Sequence, residues 1–131
     1  MAYGMNKQQF REVTKLSAED RYAHFVEKVV DEQELWTLKN DDGFATMASE
    51  SGGFCIPFWP HPEYAQSMAV NEFEGCSPVA IPLDAFMEKW LPGMDKDGHT
   101  LSVFPALEGQ HAVMPASELL EALEAELKEL E

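Results

Sequence analysis

The stretch that decides the fold runs from Leu35 to Trp59 and reads LWTLKNDDGFATMASESGGFCIPFW. It contains three short segments rich in aromatic and β-branched residues, separated by two runs of turn formers: segments 35–38, 44–47 and 54–59, and turns 40–43 and 51–53. Because such short connections cannot hold the crossover that parallel strands need, the segments predict an antiparallel β-meander. Pro57 has no N–H to donate, so it predicts an edge position or a bulge.

Helices are predicted on both sides of the meander. Apolar spacing between Met5 and Leu16 indicates a short helix, and Ser17 is expected to cap a second helix because its hydroxyl can accept from an unpaired backbone N–H. Pro62 suits the first position of a third helix. The second helix carries an apolar stripe on one face, formed by Tyr22, Phe25, Val26, Val29 and Val30.

The C-terminal half continues the alternation of strands and helices. A strand at 78–81 precedes a helix that begins near Asp84 and is expected to end at Pro92-Gly93. A hairpin is predicted from strands at 100–104 and 111–114 around a turn at 108–110. The last helix begins near Ala116 or Ser117 and gathers its leucines within an arc of about 100°: Leu119, Leu120, Leu123, Leu127 and Leu130.

The element order predicted along the chain is α-α-β-β-β-α-β-α-β-β-α, which indicates an α+β fold with a mainly antiparallel sheet covered by helices. With 131 residues, the chain has the usual size of one domain. We therefore expect a single α+β domain over residues 1–131, in which residues 1–16 form a peripheral N-terminal helix.

The charge of the chain excludes some classes of function. It has 24 acidic and 9 basic residues, and its formal net charge is -15. Nucleic-acid and anionic-membrane binding both depend on Lys and Arg neutralising phosphates, so neither is expected. The charge favours either simple solubility or a basic protein partner. Neither a membrane-spanning run nor an apolar signal region is recognised, and a cytoplasmic location is expected.

Residues that carry chemistry are few. The four histidines lack the spacing of metal ligands, so no metal or cofactor is expected. Cys55 falls within an apolar strand, where burial leaves a thiol inert, whereas Cys76 follows a glycine in a loop and is the better candidate for a reactive thiol. Asp97 belongs to a DKDG turn that lacks the other ligands of a calcium loop. No catalytic residue is therefore assigned.

The most unusual local feature is the run Phe58-Trp59-Pro60-His61-Pro62. Two prolines fix the backbone around His61, so Trp59 and His61 would form a rigid binding lip, an aromatic platform beside a titratable group. In the alternative interpretation, Trp59 covers the core and the prolines only end the strand and begin the helix. Trp36 and Asp97 complete the set of candidate binding residues.

Several aromatic and proline motifs occur in an order that resembles one bacterial family. These are LWTL at 35–38 with DG at 42–43, GFCIPFWP at 53–60, IPLDAF at 81–86 through WLP at 90–92, DG at 97–98 and VFP at 103–105. Together they are similar to the DUF2750 family, found mainly in proteobacteria, over roughly residues 17–127. The family has no assigned activity, so the resemblance implies no function. The strand order is also similar to that of SseB-type domains.

Three functions remain open from the sequence. The first is a non-enzymatic domain that binds another protein, in the manner of an immunity protein or an inhibitor, through its acidic surface. The second is a small-molecule site or enzyme near Trp59 and His61. The third is a self-associating structural protein, joined through Leu119, Leu123 and Leu127.

Overall fold

The fold is built around two small sheets that meet at Trp36 and Trp59. The structure, a computed structural model, describes residues 5–48, 54–70, 73–106 and 112–129. Its helices are α1 Lys7–Thr14, α2 Ala18–Glu32, α3 Pro62–Ser67, α4 Leu83–Ala85, α5 Leu91–Asp97 and α6 Ala116–Glu129, with a π-helical turn Phe86–Trp90 between α4 and α5. Its strands are β1 Glu34–Asn40, β2 Gly43–Phe44, β3 Met47–Ala48, β4 Phe54–Phe58, β5 Ser77–Pro82, β6 Thr100–Val103 and β7 Ala112–Pro115.

Both sheets are mainly antiparallel, which confirms the predicted α+β class. The first sheet has the strand order β2-β1-β5, and the second has the order β3-β4-β6-β7. One pair, β4 with β6, is parallel, and it joins strands that are separated by more than forty residues along the chain. The predicted hairpin is present as the antiparallel pair β6–β7.

The predicted three-stranded meander is wrong in its middle strand. Phe44 pairs with β1 in the first sheet, whereas Met47 pairs with Cys55 in the second. Ala45 still donates its N–H to the carbonyl of Leu38 at 2.9 Å. The chain therefore changes sheets between Ala45 and Met47, and two short strands replace the one expected.

A short seam joins the two sheets. The backbone N–H of Trp36 donates to the carbonyl of Trp59, and the N–H of Trp59 donates to the carbonyl of Trp36, each at 2.8 Å. Beside them, the Thr37 hydroxyl donates to the carbonyl of Pro57 at 2.8 Å. Among the described residues β3 pairs only with Phe54 and Cys55, so Pro57 lies beyond that ladder, where its missing N–H costs little.

The helix starts predicted from the sequence are confirmed. The Ser17 hydroxyl accepts from the N–H of Asp20 at 3.1 Å, and Pro62 occupies the first turn of α3. The predicted end at Pro92-Gly93 is wrong, because the helical path continues to Asp97 and ends at Gly98 with a φ of 74°. The N–H of Leu91 bonds to the carbonyl of Phe86, five residues back. This wide turn ends directly before Pro92, which has no N–H to donate and lies in the first turn of α5.

The last helix packs on its own chain. Leu119 and Leu123 are fully buried in the core, and α6 contacts α2 and α5. These two leucines are therefore unavailable to a second copy, although self-association of the chain stays a prediction. The turns predicted at 51–53 and 108–110, the strand start at His111 and the last leucine, Leu130, lie outside the described residues.

Replacing Leu123 by alanine should destabilise the chain strongly. Loss of a fully buried leucine costs about 2–5 kcal/mol, because the transfer free energy is lost and a cavity remains. Leu120→Ala is the matched control on the same helix: Leu120 is half-buried, so we expect less than about 1.5 kcal/mol. Urea unfolding followed by circular dichroism measures both, and equal losses would contradict the packing described for α6.

Candidate binding site

A cavity of about 250 Å³ lies between α1, α3 and the segment that follows β6. Eight described residues line it: Phe10, Thr14, Lys15, Tyr64, Ser67, Phe104, Pro105 and Ala106. They come from three separate parts of the chain, which the fold brings together because β6 runs beside β4 and α3 follows β4. We call it the aromatic cavity.

Three aromatic rings form the apolar walls of the aromatic cavity. The rings of Phe10 and Tyr64 stack with their centroids 5.3 Å apart and their planes 20° apart. The ring of Phe104 lies against Tyr64 with a centroid distance of 4.6 Å. Such contacts fix the rings in place, so the cavity has a defined shape.

Thr14 and Ser67 bring two hydroxyl groups to the lining of the aromatic cavity. The Thr14 hydroxyl donates to the carbonyl of Phe10 at 2.9 Å, and the Ser67 hydroxyl donates to the carbonyl of Tyr64 at 2.7 Å. With their hydrogens used in this way, the two oxygens keep only lone pairs to offer to a ligand. Lys15 is exposed at the C-terminal end of α1 and supplies the one charge among the described lining residues.

Phe104 holds an unusual backbone conformation in the wall of the cavity. Its φ is 53°, in the left-handed region, where a residue other than glycine is strained. Two hydrogen bonds keep it there: its N–H donates to the carbonyl of Phe58 at 2.8 Å, and its carbonyl accepts from Nε of Arg21 at 3.0 Å. Strain that is held in place in this way often occurs at functional sites.

Arg21 is a buried cation that the sequence interpretation missed. Its side chain is 2% exposed, and burial lowers the pKa of the guanidinium. Besides Phe104, it donates to the carbonyl of Leu16 in the connection between α1 and α2. The sequence carried one signal: Arg21 lies four residues before Phe25, so it shares the apolar face of α2.

The predicted lip at Trp59 and His61 is not exposed. Trp59 is fully buried, and His61 is 3% exposed. The indole N–H of Trp59 donates to the carbonyl of Pro105 at 2.9 Å, and Nδ1 of His61 accepts from the N–H of Glu63 at 3.1 Å. Trp59 thus covers the core and His61 caps α3. Both lie directly behind cavity residues, since the His61 ring is 6.1 Å from that of Tyr64.

The other predicted residues lie apart from the cavity lining. Trp36 is half-buried on β1 and meets Trp59 through the backbone seam, while its own indole N–H has no acceptor among the described residues. Asp97 is exposed at the end of α5. The structure therefore brings Trp36, Trp59 and His61 together, but not as lining residues of the aromatic cavity.

Both cysteines are buried, which corrects the expectation for Cys76. Cys76 is 8% exposed, whereas the sequence predicted an accessible loop position. Burial raises the pKa of the Cys55 thiol, and a hydrogen bond with Thr100 acts in the opposite direction. A thiol with a raised pKa is a poor nucleophile at neutral pH.

A second depression of about 360 Å³ lies on another part of the surface, between α6 and the helical path that begins with α4. Its described lining residues are Gln33, Leu83, Asp84, Met87, Glu88, Leu120, Glu124 and Leu127. Three of these residues are acidic and none is basic, and the remainder are apolar except for Gln33. We call it the acidic groove.

Comparison with protein families identifies the chain. The model of the DUF2750 family, described as a protein of unknown function, matches residues 22–123. The chain belongs to the DUF2750 family. No curated protein matches it. The DUF2750 match includes Phe104 and the α3 residues that line the aromatic cavity. It begins after α1 and stops just before Glu124 of the acidic groove.

Neither a bilayer-spanning helix nor a metal-binding cluster is present among the described residues of this DUF2750 chain. None of the helices in this part of the chain combines the length and the apolar character that crossing a bilayer requires. Within residues 5–48, 54–70, 73–106 and 112–129, no three His, Cys, Asp or Glu side chains are grouped so that they could hold a metal ion.

The stability of the chain should fall in acid partly because of His24. Burial lowers the pKa of His24 below its ordinary value of 6.5, Lys28 lowers it further, and Glu27 raises it. The folded state therefore binds fewer protons than the unfolded state, so stability is lost as the pH falls below about 6.5. Replacing the residue, His24→Gln, should reduce the loss between pH 7 and pH 5.5, measured by urea unfolding. An unchanged pH profile would contradict this.

The thiols of the native chain should react slowly with a disulfide reagent at neutral pH. Burial keeps the reagent from both sulfurs, so reaction has to wait for local opening. Two thiols should react promptly once the chain is unfolded in denaturant. Cys55→Ser and Cys76→Ser assign the phases, and a fast native phase that disappears in Cys76→Ser would restore Cys76 as a reactive thiol.

Proposed function

We propose that the chain is a non-enzymatic domain that binds a basic, amphipathic segment of a partner protein in the acidic groove. One observation carries the proposal, namely the chemistry of the groove, in which apolar side chains are bordered by carboxylates and no described lining residue is basic. A role as an inhibitor or immunity-like protein of a basic partner is the class of function that fits this surface.

The apolar side chains would supply most of the affinity. Met87, Leu120 and Leu127 are half-buried, so each still exposes surface that a partner can cover. Full burial of a leucine or methionine side chain contributes about 1.5–3 kcal/mol, and covering the remaining surface contributes a part of that. Side chains spaced at i, i+3 or i+4 and i+7 on a partner helix match a groove of this kind.

The carboxylates would supply selection and speed. Asp84, Glu88 and Glu124 are exposed, and an exposed ion pair contributes only about 0–1 kcal/mol. Opposite charges nevertheless steer a partner to the correct face and raise its association rate. The net charge of -15 extends this steering to the whole molecule, which disfavours acidic competitors.

The test uses a synthetic helical peptide with leucines along one face and lysines beside them. Fluorescence anisotropy should show binding that weakens with salt, and the double variant Glu88→Lys/Glu124→Lys should lose at least about tenfold in affinity, or about 1.4 kcal/mol. The matched control is Glu12→Lys/Glu74→Lys, which changes the net charge equally at two exposed positions away from the groove lining. The control should keep the original affinity within about threefold.

Two results would oppose the proposal. Equal losses in both double variants would mean that the peptide responds to net charge and not to the groove. If Leu120→Ala and Leu127→Ala leave the binding affinity unchanged, the apolar side chains of the groove do not contribute to binding. Analytical ultracentrifugation of the chain alone distinguishes a third case, in which a second copy occupies the groove and the charge reversal changes the oligomeric state.

A further inference from the structure

We propose that the aromatic cavity is a second, independent site that binds a small, uncharged bicyclic aromatic molecule bearing one hydrogen-bond donor. The proposal goes beyond partner binding in the acidic groove, because the two sites share no lining residue among those described. It depends on the size of the cavity, on its walls, on the state of its hydroxyl groups and on its charge.

The volume sets the number of rings. An apolar cavity of about 150 Å³ accommodates benzene. The aromatic cavity has about 250 Å³, which leaves space for a second fused ring. The flat walls of Phe10, Tyr64 and Phe104 favour a flat ligand that stacks against a ring or meets its edge.

The hydroxyl groups set the polarity of the ligand. Thr14 and Ser67 both donate to backbone carbonyls within their own helices, so their oxygens can accept a hydrogen bond but have no free hydrogen to give. A ligand with an N–H or O–H can donate a hydrogen bond to these oxygens. A ligand with only acceptor atoms places its own lone pairs against those of the hydroxyl oxygens. The ligand class is therefore a hydrogen-bond donor.

The net charge of the whole chain disfavours an anion, although the one charge among the described lining residues is that of the cation Lys15. Lys15 is exposed, and it lies at the C-terminal end of α1, where the last helix carbonyls already favour a positive charge. An exposed pair with Lys15 would add little affinity, and the net charge of -15 repels a carboxylate from the whole molecule. An uncharged ligand avoids this repulsion.

The backbone at Phe104 supports a site at this wall. The strained φ of 53° is held by Phe58 on one side and by the buried Arg21 on the other. This conformation leaves the ring of Phe104 against Tyr64 at the cavity. An unstrained backbone at Phe104 would have a lower free energy, so the fold maintains this wall at the expense of stability.

The test titrates the full chain with indole and, separately, with benzofuran, in which an oxygen replaces the N–H. Indole should shift the backbone amide signals of Thr14, Ser67 and Ala106 in ¹⁵N spectra and bind about fivefold more tightly than benzofuran. Indole-3-carboxylate should bind no more tightly than indole. The double variant Thr14→Val/Ser67→Ala removes both acceptors, and it should bring the affinities for indole and benzofuran to within about twofold.

A filling variant and its matched control locate the site. Ala106→Trp occupies the cavity and should abolish indole binding, whereas Ala80→Trp, the same substitution at an exposed position of β5, should leave it unchanged. The proposal is overturned if indole causes no shift up to its solubility limit, if Ala106→Trp still binds it, or if benzofuran binds as tightly as indole. Tighter binding of indole-3-carboxylate than of indole would overturn the uncharged class. The groove peptide reports separately on the partner site.

Discussion

The paired backbone hydrogen bonds between Trp36 and Trp59 are the constraint on which the rest of the structure depends. Each residue donates to the other at 2.8 Å. This short seam connects the three-stranded sheet β2-β1-β5 to the four-stranded sheet β3-β4-β6-β7. Because the Trp59 indole also donates to the carbonyl of Pro105, the seam fixes the chain just after β6. The position of that segment, in turn, decides where the aromatic cavity lies.

The buried Arg21 has a comparable role on the other side of the cavity. A buried cation is costly unless its donors are satisfied, and here the carbonyls of Leu16 and Phe104 accept from it. The guanidinium therefore links the residues between α1 and α2 to Phe104, the strained residue in the cavity wall. The two ends of this interaction are 83 residues apart along the chain, so it can form only when most of the fold is in place.

Local features of the fold were predictable from the sequence, and non-local ones were not. Ser17 and Pro62 act within one helical turn, so their residue types are sufficient to predict the helix starts. The parallel pairing of β4 with β6 and the change of sheets after Ala45 depend on contacts between distant segments. The continuation of the helix through Pro92 depends on a π-helical turn, which no single residue type specifies.

The same distinction explains the candidate site. The sequence predicted a binding lip at Trp59 and His61 because two prolines surround the histidine, which is a local pattern. The fold uses that rigidity to bury both residues behind Tyr64 and Pro105. The cavity lining itself combines Phe10, Tyr64 and Phe104, and the distances between them along the chain follow no recognisable pattern. The sequence also gives no sign of the left-handed backbone conformation of Phe104, a phenylalanine that precedes a proline.

The helix α2 determines how the two sites relate to each other. Its first turns carry Arg21, which holds Phe104 in the cavity wall, and the residue that ends it, Gln33, lines the acidic groove. Its 15 residues extend for about 22 Å. Coupling between sites requires an element with two arrangements that both ligands influence, whereas α2 is an unbroken helix with a buried apolar face. A molecule in the cavity and a partner segment in the groove should therefore bind independently, each with the same affinity whether or not the other is present.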